Sequence, residues 1–142
     1  MTALAATTLA PGQANAAPVV LAEPLSFCGG LDAATGRVID RWHPQHGLFI
    51  AGGILVMESG RGSSGGGPVL AEAIRLGVAP VGIVLMRPDP ILTVGALVAG
   101  QLYGHHCPIV LADARDWPRI TMAKRLVLDA EADAARIELF DA

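Results

Sequence analysis

The sequence predicts a compact α/β domain, and three observations support that prediction. The chain has 142 residues, the size of a single typical domain with a substantial core. Short apolar runs that are typical of strands alternate with longer segments that are typical of helices. A stretch rich in glycine and serine, Ser59–Leu70 (SGRGSSGGGPVL), separates one such strand from one such helix. We therefore expect about six or seven strands and about two helices around one core.

Composition and charge argue against two classes of partner. Hydrophobic residues make up 52% of the chain, but the apolar run 78–86 contains Pro80 and stops at Arg87. It is shorter than the roughly 20 residues that a membrane span needs. The formal net charge is −3 and Lys124 is the single lysine, so the sequence offers no basic face for nucleic acid or an anionic membrane. We expect neither as a partner.

The first 17 residues are predicted to form a flexible leader before the domain, which is expected to span residues 18–142. Ala14-Asn15-Ala16 resembles the small-residue cleavage site of a signal peptide. A signal peptide also has a positive leader and a firm apolar block, whereas the first basic residue here is Arg37 and threonines dilute the apolar block. We therefore expect a cytoplasmic protein.

From residue 18 onward, the predicted elements follow one another with short connections. Strands are predicted at Pro18–Ala22, Leu48–Met57, Val81–Met86 and Pro108–Leu111, with turn-rich loops over 24–36 and 42–47. Gly52 and Gly53 predict a bend or a bulge in the second of these strands.

Two helices and a C-terminal hairpin complete the predicted fold. One helix starts at Pro68, whose missing N–H is not needed in a first turn, and ends at Gly77. The other spans Pro90–Tyr103, with Asp89 as its N-cap. The tail over residues 124–140 has the composition of a helix, but its two apolar clusters flank a polar stretch. That arrangement favours a two-stranded hairpin.

The glycine-rich stretch is the clearest chemical signal. A glycine-rich loop that leads into a helix N-terminus presents backbone N–H groups to an anion. This loop lacks the lysine of a phosphate-binding P-loop, and its lone G-x-G-x-x-G is a weak dinucleotide signal. Ser63 stands at the mouth of the helix beside Arg61, where the helix terminus and the guanidinium both favour an ionised hydroxyl. The structural alternative is a helix cap from Ser63 or Ser64.

The cysteines and histidines do not predict a metal site in this chain. Cys28 and Cys107 are far apart in sequence, and two thiols are too few for an iron–sulfur cluster. We expect both to be buried structural thiols. His43 and His46 flank a proline with no third ligand nearby, which favours loop histidines that hydrogen-bond the backbone.

Five ordered segments resemble one known family. In chain order they are EPLSFCGGLDAATGRVIDRWHPQHG, AGGILVMESGRGSSGG, AIRLGVAPVGIVL, PDPILTVGALVAGQLYG and CPIVL. Together they resemble the small subunit, or swivel domain, of aconitase X. The resemblance covers roughly Val20–Leu111, and the order of the segments makes it more specific than any one of them.

The resemblance implies a swivelling β/β/α domain related to the mobile domain of aconitases. It implies a subunit of a hydro-lyase whose large catalytic subunit carries the iron–sulfur cluster, so that this chain binds no cofactor itself. It also implies that Ser63, which follows Gly60-Arg61-Gly62, is the proton acceptor. The residues expected to bind substrate are Arg61, Gly62, Ser64, Gly29, Gly30 and Asp32. For Asp32 the structural alternative is a tight turn closed by its own side chain.

The resemblance implies a small hydroxy acid as substrate and leaves two candidates. The residues of the segments HPQHG, GRGSS and LYGHHCPIVL favour the branch of the family that acts on cis-3-hydroxy-L-proline. A separate small chain favours mevalonate 5-phosphate, because that branch has two subunits whereas the hydroxyproline branch is often one fused chain. Two further functions stay open. One is a non-catalytic domain that binds an anion through the glycine-rich loop, and the other is a scaffold subunit in which Ser63 serves only as a cap.

Overall fold

The computed structural model describes residues 1–62 and 64–141. The strands in these residues are β1 (Thr2–Ala10), β2 (Gly12–Ala16), β3 (Pro18–Val20), β4 (Leu31–Asp32), β5 (Arg37–Val38), β6 (Ile54–Met57), β7 (Gly82–Leu85), β8 (Ile109–Leu111), β9 (Arg125–Ala130) and β10 (Ala135–Phe140). The helices are α1 (Phe27–Gly30), α2 (Gly66–Leu76), α3 (Pro90–Tyr103) and α4 (Trp117–Met122), the last preceded by a 3-10 turn at Ala114–Asp116. The short helix α1 is distorted, because Cys28 and Gly29 depart from helical backbone angles.

Eight of the strands form one continuous sheet. Its order is β2-β9-β10-β1-β8-β7-β6-β3, while β4 and β5 form a separate hairpin. Neighbours from β8 to β3 run parallel, and the others run antiparallel. Only Ala17 separates β2 from β3 in the chain, although these strands occupy opposite ends of the sheet order. The sheet therefore curls into a barrel-like form, with Ala17 linking its two ends.

The core has two compartments, one on each face of the sheet. Successive residues of β6 alternate between them, so that Ile54 and Val56 lie in one compartment and Leu55 and Met57 in the other. The first compartment fills the interior of the curled sheet and receives Ile120 from α4. The second lies between the sheet and the helices α2 and α3. The strand β6 is thus buried on both faces, as is usual for a parallel strand.

The predicted cap of α3 at Asp89 and the predicted end of α2 at Gly77 are both observed. The Asp89 carboxylate accepts hydrogen bonds from the N–H groups of Ile91 and Leu92, each at 3.0 Å, and so caps α3. Gly77 and Gly104 end α2 and α3 with left-handed backbone angles, at φ 76° and 69°. The prediction of a helix over Pro90–Tyr103 is confirmed. The other helix begins two residues earlier than predicted.

The expectation of a flexible leader over residues 1–17 is wrong. Residues 2–10 form β1, which pairs with β10 along its first half and with β8 along its second half. Residues 12–16 form β2, which pairs with β9. Leu4, Ala14 and Ala16 are buried in the interior of the curled sheet. The domain therefore includes this segment and is not confined to residues 18–142.

The remaining predicted elements have mixed outcomes. The C-terminal hairpin is confirmed as β9 and β10, paired in register from Arg125 with Phe140 to Ala130 with Ala135. The strand predicted at 48–57 is confirmed only for Ile54–Met57, because the chain turns at Gly52 with φ 77°. Helix α4 was not predicted. Over residues 1–62 and 64–141, no helix is long and apolar enough to cross a membrane.

Candidate active site

The glycine-rich loop lies at the carboxyl ends of the parallel strands β6 and β7. Strands β6 and β7 run parallel in register, with Met57 opposite Leu85, so their carboxyl ends share one edge of the sheet. The loop leaves β6 at this edge and leads into the N-terminus of α2. The segment Arg87–Asp89 leaves β7 beside it and leads into α3. The N-termini of α2 and α3 therefore lie at the same edge of the sheet as the glycine-rich loop.

Ser63, the predicted proton acceptor, lies outside the described residues. The residues on both sides of it, Gly62 and Ser64, are described and are exposed. Arg61 is also exposed, and its backbone N–H donates to the carbonyl of Leu25 at 3.2 Å. Three of the predicted substrate-binding residues therefore surround Ser63 in sequence on the accessible side of the loop.

Gly60 fixes the start of the loop against the end of β7. A Cβ at Gly60 would overlap the Asp89 carboxylate, whose other oxygen caps α3. Gly60 also forms a parallel bridge with Leu25. A residue without a side chain is required here because the loop, the cap of α3 and residue 25 converge at one point. This close approach explains one of the glycines in the sequence.

The segment around α1 lies beside the same loop. Phe27 is buried, and its Cβ lies 3.7 Å from the position of a Cβ on Gly66, the first residue of α2. Gly29 is exposed with φ 79°, a conformation that favours glycine, whereas Gly30 is buried against Leu25. Phe27 thus packs beside the start of α2, and the predicted contact of Gly29 and Gly30 with substrate stays a prediction.

Asp32 is held in a turn instead. Its carboxylate accepts hydrogen bonds from the Ala34 N–H at 3.0 Å and from the Thr35 hydroxyl at 2.8 Å. The turn ends at Gly36, which packs against the carbonyl of Val78. Val78 follows the C-terminal end of α2, and the glycine-rich loop precedes its N-terminal end. Asp32 thus forms the tight turn of the structural alternative, and its contact with substrate stays a prediction.

Glycines at the N-terminus of α2 allow neighbouring groups to approach the helix backbone closely. Gly65 is the N-cap residue, and among the described residues no side chain caps this end of the helix. Gly67 packs against α3, where a Cβ would lie 2.9 Å from the carbonyl oxygen of Ile91. The N-cap residue is Gly65 and not Ser64, so the alternative in which Ser64 caps this helix is not supported. The helix dipole is directed at the loop.

An apolar groove of about 650 Å³ runs between α2 and α3 on their outer side, starting at Ser64. Its walls are mainly Pro68, Ala71, Ile91, Val94 and Val98. The exposed face of α3 continues this surface, and Val94 and Leu102 are 57% and 66% exposed. The helix contains no charged residue over its whole length. At the groove, Arg75 forms an ion pair with Glu72 that lowers the pKa of that carboxyl.

The two thiols differ in their exposure to solvent. Cys107 is buried, its thiol contacts the carbonyl of Pro80 at 3.4 Å, and burial raises its pKa to about 12. Cys28 is exposed, so the expectation that both thiols are buried is wrong for this one.

The ring of His43 is held by backbone groups on both sides. Its Nε2 lies 3.0 Å from the carbonyl oxygen of Glu23, and its Nδ1 accepts a hydrogen bond from the Gln45 N–H at 3.0 Å. The prediction of a backbone-bonded loop histidine is confirmed for His43.

The sequence analysis missed one residue of this edge, Arg87. Its guanidinium donates a hydrogen bond to the Ser59 hydroxyl at 3.2 Å, although 28 positions separate the two residues in the chain. The signal in the sequence was the position of Arg87 directly after a predicted buried strand. Parallel pairing of that strand with β6 was needed to place it beside the glycine-rich loop.

The fold and this edge define a class of protein: a small α/β domain with a curled sheet that presents a glycine-rich, serine-containing loop at a helix N-terminus. The sequence model of the protein family described as the aconitase X swivel domain matches residues 3–139. The chain belongs to this family. The crystal structure of aconitase X from Thermococcus kodakaraensis, in its holo form, superposes with a TM-score of 0.79 and 28% identity, covering 97% of this chain and 99% of that one.

Named relatives fall into two groups. A cis-3-hydroxy-L-proline dehydratase of Pseudomonas aeruginosa is 43% identical over 108 residues, which are 76% of this chain and 19% of that protein. A phosphomevalonate dehydratase small subunit of Methanothermobacter thermautotrophicus is 42% identical over 89 residues, which are 63% of this chain and 68% of that protein. The chain thus spans about a fifth of the length of the hydroxyproline dehydratases it matches.

Proposed function

We propose that this domain is the serine-bearing part of an aconitase X-type dehydratase. The observation that carries the proposal is the position of Gly62 and Ser64, which flank Ser63 between the end of β6 and the N-terminus of α2. The exposed Arg61 and the dipole of α2 both favour negative charge at this loop. A serine there has two influences that lower the pKa of its hydroxyl and make it a base.

In the proposed reaction a 3-hydroxy acid loses water. Ser63 takes the proton from the carbon next to the carboxylate, the C–O bond at the neighbouring carbon breaks, and a C=C bond forms between the two carbons. The proton and the hydroxyl leave as water. A base in this position contributes typically about 10²–10⁴-fold to the rate. The glycines of the loop let the backbone N–H groups approach the developing negative charge.

The iron–sulfur cluster that the family implies does not fit this chain. Cys28 follows β3, on the carboxyl side of that strand, and Cys107 precedes β8, so the two thiols do not converge. In residues 1–62 and 64–141 no three His, Cys, Asp or Glu side chains are grouped as metal ligands. We therefore assign the cluster, and the acceptance of the departing hydroxyl, to the large catalytic subunit.

The same large subunit is the partner that we propose for the apolar surface of α2 and α3. The groove begins at Ser64, so a chain that completes the active site around Ser63 adjoins it directly. The uncharged, exposed face of α3 has the composition of an obligate interface, which is typically hydrophobic. The relatives in which this domain makes up 19% and 23% of a longer chain are compatible with such an arrangement.

We propose cis-3-hydroxy-L-proline as the substrate. Two hydroxyproline dehydratases align with 76% and 96% of this chain at 43% and 33% identity. Two phosphomevalonate dehydratase small subunits align with 63% and 80% of it at 42% and 32% identity, so the hydroxyproline relatives match more of the chain at each level of identity. Mevalonate 5-phosphate is the second candidate, because this chain also aligns with 68% of a phosphomevalonate dehydratase small subunit. We place the complex in the cytoplasm, since an exposed free thiol such as Cys28 is typical of a reducing compartment.

The proposal is tested by co-expressing the chain with its candidate large subunit and purifying the complex. Loss of water is then assayed with each of the two substrates separately. We expect the complex to turn over one of them and the isolated chain to turn over neither. Failure of the chains to associate, together with tight phosphate binding by the isolated chain, would instead favour the non-catalytic anion-binding function.

A further inference from the structure

We infer that Arg87 is an additional anion-binding side chain of this site, held in position by Ser59. The inference rests on the proposed dehydratase function, because it names the group that receives the substrate carboxylate or phosphate. Arg87 is the first residue after Met86 at the carboxyl end of β7, and it is exposed. It therefore lies at the same edge of the sheet as the glycine-rich loop and the N-terminus of α2, where a bound anion would be stabilised.

The backbone at Arg87 is fixed on both sides. The N–H groups of Met86 and Arg87 both donate to the carbonyl of Glu58, each at 2.9 Å. Pro88 follows and restricts the backbone of Arg87 to extended conformations. The guanidinium then donates to the Ser59 hydroxyl at 3.2 Å. These contacts hold the arginine beside the glycine-rich loop before any ligand binds, which lowers the ordering cost of binding.

No carboxylate in the described part of the chain forms an ion pair with Arg87. Within residues 1–62 and 64–141, the ion pairs of arginine involve Arg75, Arg115, Arg119 and Arg136, and not Arg87. The nearest acidic residue in sequence, Asp89, caps α3 through Oδ1 and has its Oδ2 beside Gly60. Ser59 uses one N–H of the guanidinium, which leaves further donors for a planar, two-oxygen group. A carboxylate or a phosphate is the ligand that fits this geometry.

The test uses the complex of this chain with its catalytic partner. The variants are Arg87→Ala, Arg87→Lys and Ser59→Ala, with Arg115→Ala as the matched control. Arg115 follows the neighbouring strand β8, is 82% exposed and is already paired with Asp113 at 3.5 Å. Both hydroxyproline and mevalonate 5-phosphate are assayed, so that recognition of a carboxylate alone is distinguished from recognition of a phosphate.

We expect Arg87→Ala to raise KM by about tenfold to a hundredfold, with a smaller change in kcat, because a charge-assisted contact to the bound substrate is lost. Lysine keeps the positive charge but lacks the planar guanidinium that can bind two oxygens at once. The KM of Arg87→Lys is therefore expected to lie between those of Arg87→Ala and the wild type. Ser59→Ala is expected to raise KM by a few-fold. Arg115→Ala is expected to stay within about twofold of the wild type.

A wild-type KM in Arg87→Ala would overturn the inference while leaving the dehydratase function intact. If the wild-type complex turns over neither substrate, the proposed function fails. The role of Arg87 in anion binding is then tested by calorimetry, which measures the affinity of each compound for the same complexes. Binding at least tenfold weaker in Arg87→Ala supports the inference in that case, and equal binding overturns it. An equal loss in Arg115→Ala would also count against it, because the effect would then be one of net charge.

Discussion

Gly67 and Gly95 bring α2 and α3 into direct backbone contact. A Cβ at Gly95 would lie 2.5 Å from the carbonyl oxygen of Gly67 and 2.9 Å from its Cα. Backbone atoms in a helix cannot rotate away as a side chain does. The two helices that follow the loops of the candidate site are therefore held together at a spacing that only glycine permits.

The first prediction concerns this contact. Gly95→Ala is expected to lower the free energy of unfolding by about 2 kcal/mol in urea titrations, because overpacking forces the helices apart. Gly66→Ala is the matched control, since the nearest atom to its Cβ would be 3.7 Å away. The control is expected to change stability by less than about 1 kcal/mol. Equal effects of the two substitutions would contradict the close packing.

A second prediction links Gly60 to Asp89. Gly60→Ala is expected to displace the Asp89 carboxylate from the N-terminus of α3, which costs about 1 kcal/mol of stability for a lost cap. Asp89→Ala removes the cap and the obstacle together. In that background, Gly60→Ala is expected to add little. A double-mutant cycle by urea unfolding measures the coupling, and additive effects would show that the two residues do not interact.

A third prediction concerns the buried thiol of Cys107. Its pKa is about 12 in the folded chain, against 9.0 as its ordinary value, because burial disfavours the thiolate. Between these values the unfolded chain releases a proton that the folded chain retains, so stability falls as the pH rises. The wild type is expected to lose up to about 1.4 kcal/mol per pH unit more than Cys107→Ala over this range.

The measurement is urea unfolding of both proteins at a series of pH values from neutral to alkaline. Parallel curves for the wild type and Cys107→Ala would contradict the burial of this thiol. Alkylation provides an independent check at neutral pH. Cys28 is exposed and is expected to react in the folded chain, whereas Cys107 is expected to react only after unfolding.

A fourth prediction concerns the apolar face of α3. Leu102 is 66% exposed, so Leu102→Glu is expected to leave folding of the isolated chain nearly unchanged. In the proposed interface it would bury a charge, and co-purification with the large subunit is expected to fall strongly. Met122→Glu is the control, because Met122 is 79% exposed on α4, which packs on the other core compartment. Loss of association in both variants would argue against the α3 face as the interface.

The sequence predicted local features better than distant pairing. The start of helix α3 was predicted because Asp89 and Pro90 are start signals that lie next to it in the chain. The strand β1 was missed because it consists of alanine, threonine and leucine, without a marked alternation. Its first residues are stabilised by pairing with β10, where Thr2 lies opposite Leu139. No local pattern encodes a partner so far along the chain.

The same difference between local signals and distant contacts applies to the candidate site. Arg61, Gly62 and Ser64 were predicted because they adjoin Ser63 in one recognisable loop. Arg87 was missed because its contact with Ser59 depends on the parallel register of β6 and β7. Asp32 was predicted to bind substrate from the resemblance alone, and its hydrogen bonds within a turn, to Ala34 and Thr35, favour the structural alternative.

The most direct test of the account is turnover by the complex that carries Ser63→Ala. The serine is proposed as the base for the α-proton, so its loss is expected to lower kcat by about 10²–10⁴-fold with the complex still assembled. Ser64→Ala, at the exposed neighbouring position, is expected to act mainly on KM. Unchanged kcat in an intact Ser63→Ala complex would contradict the central claim and leave the domain as a scaffold for a site formed elsewhere.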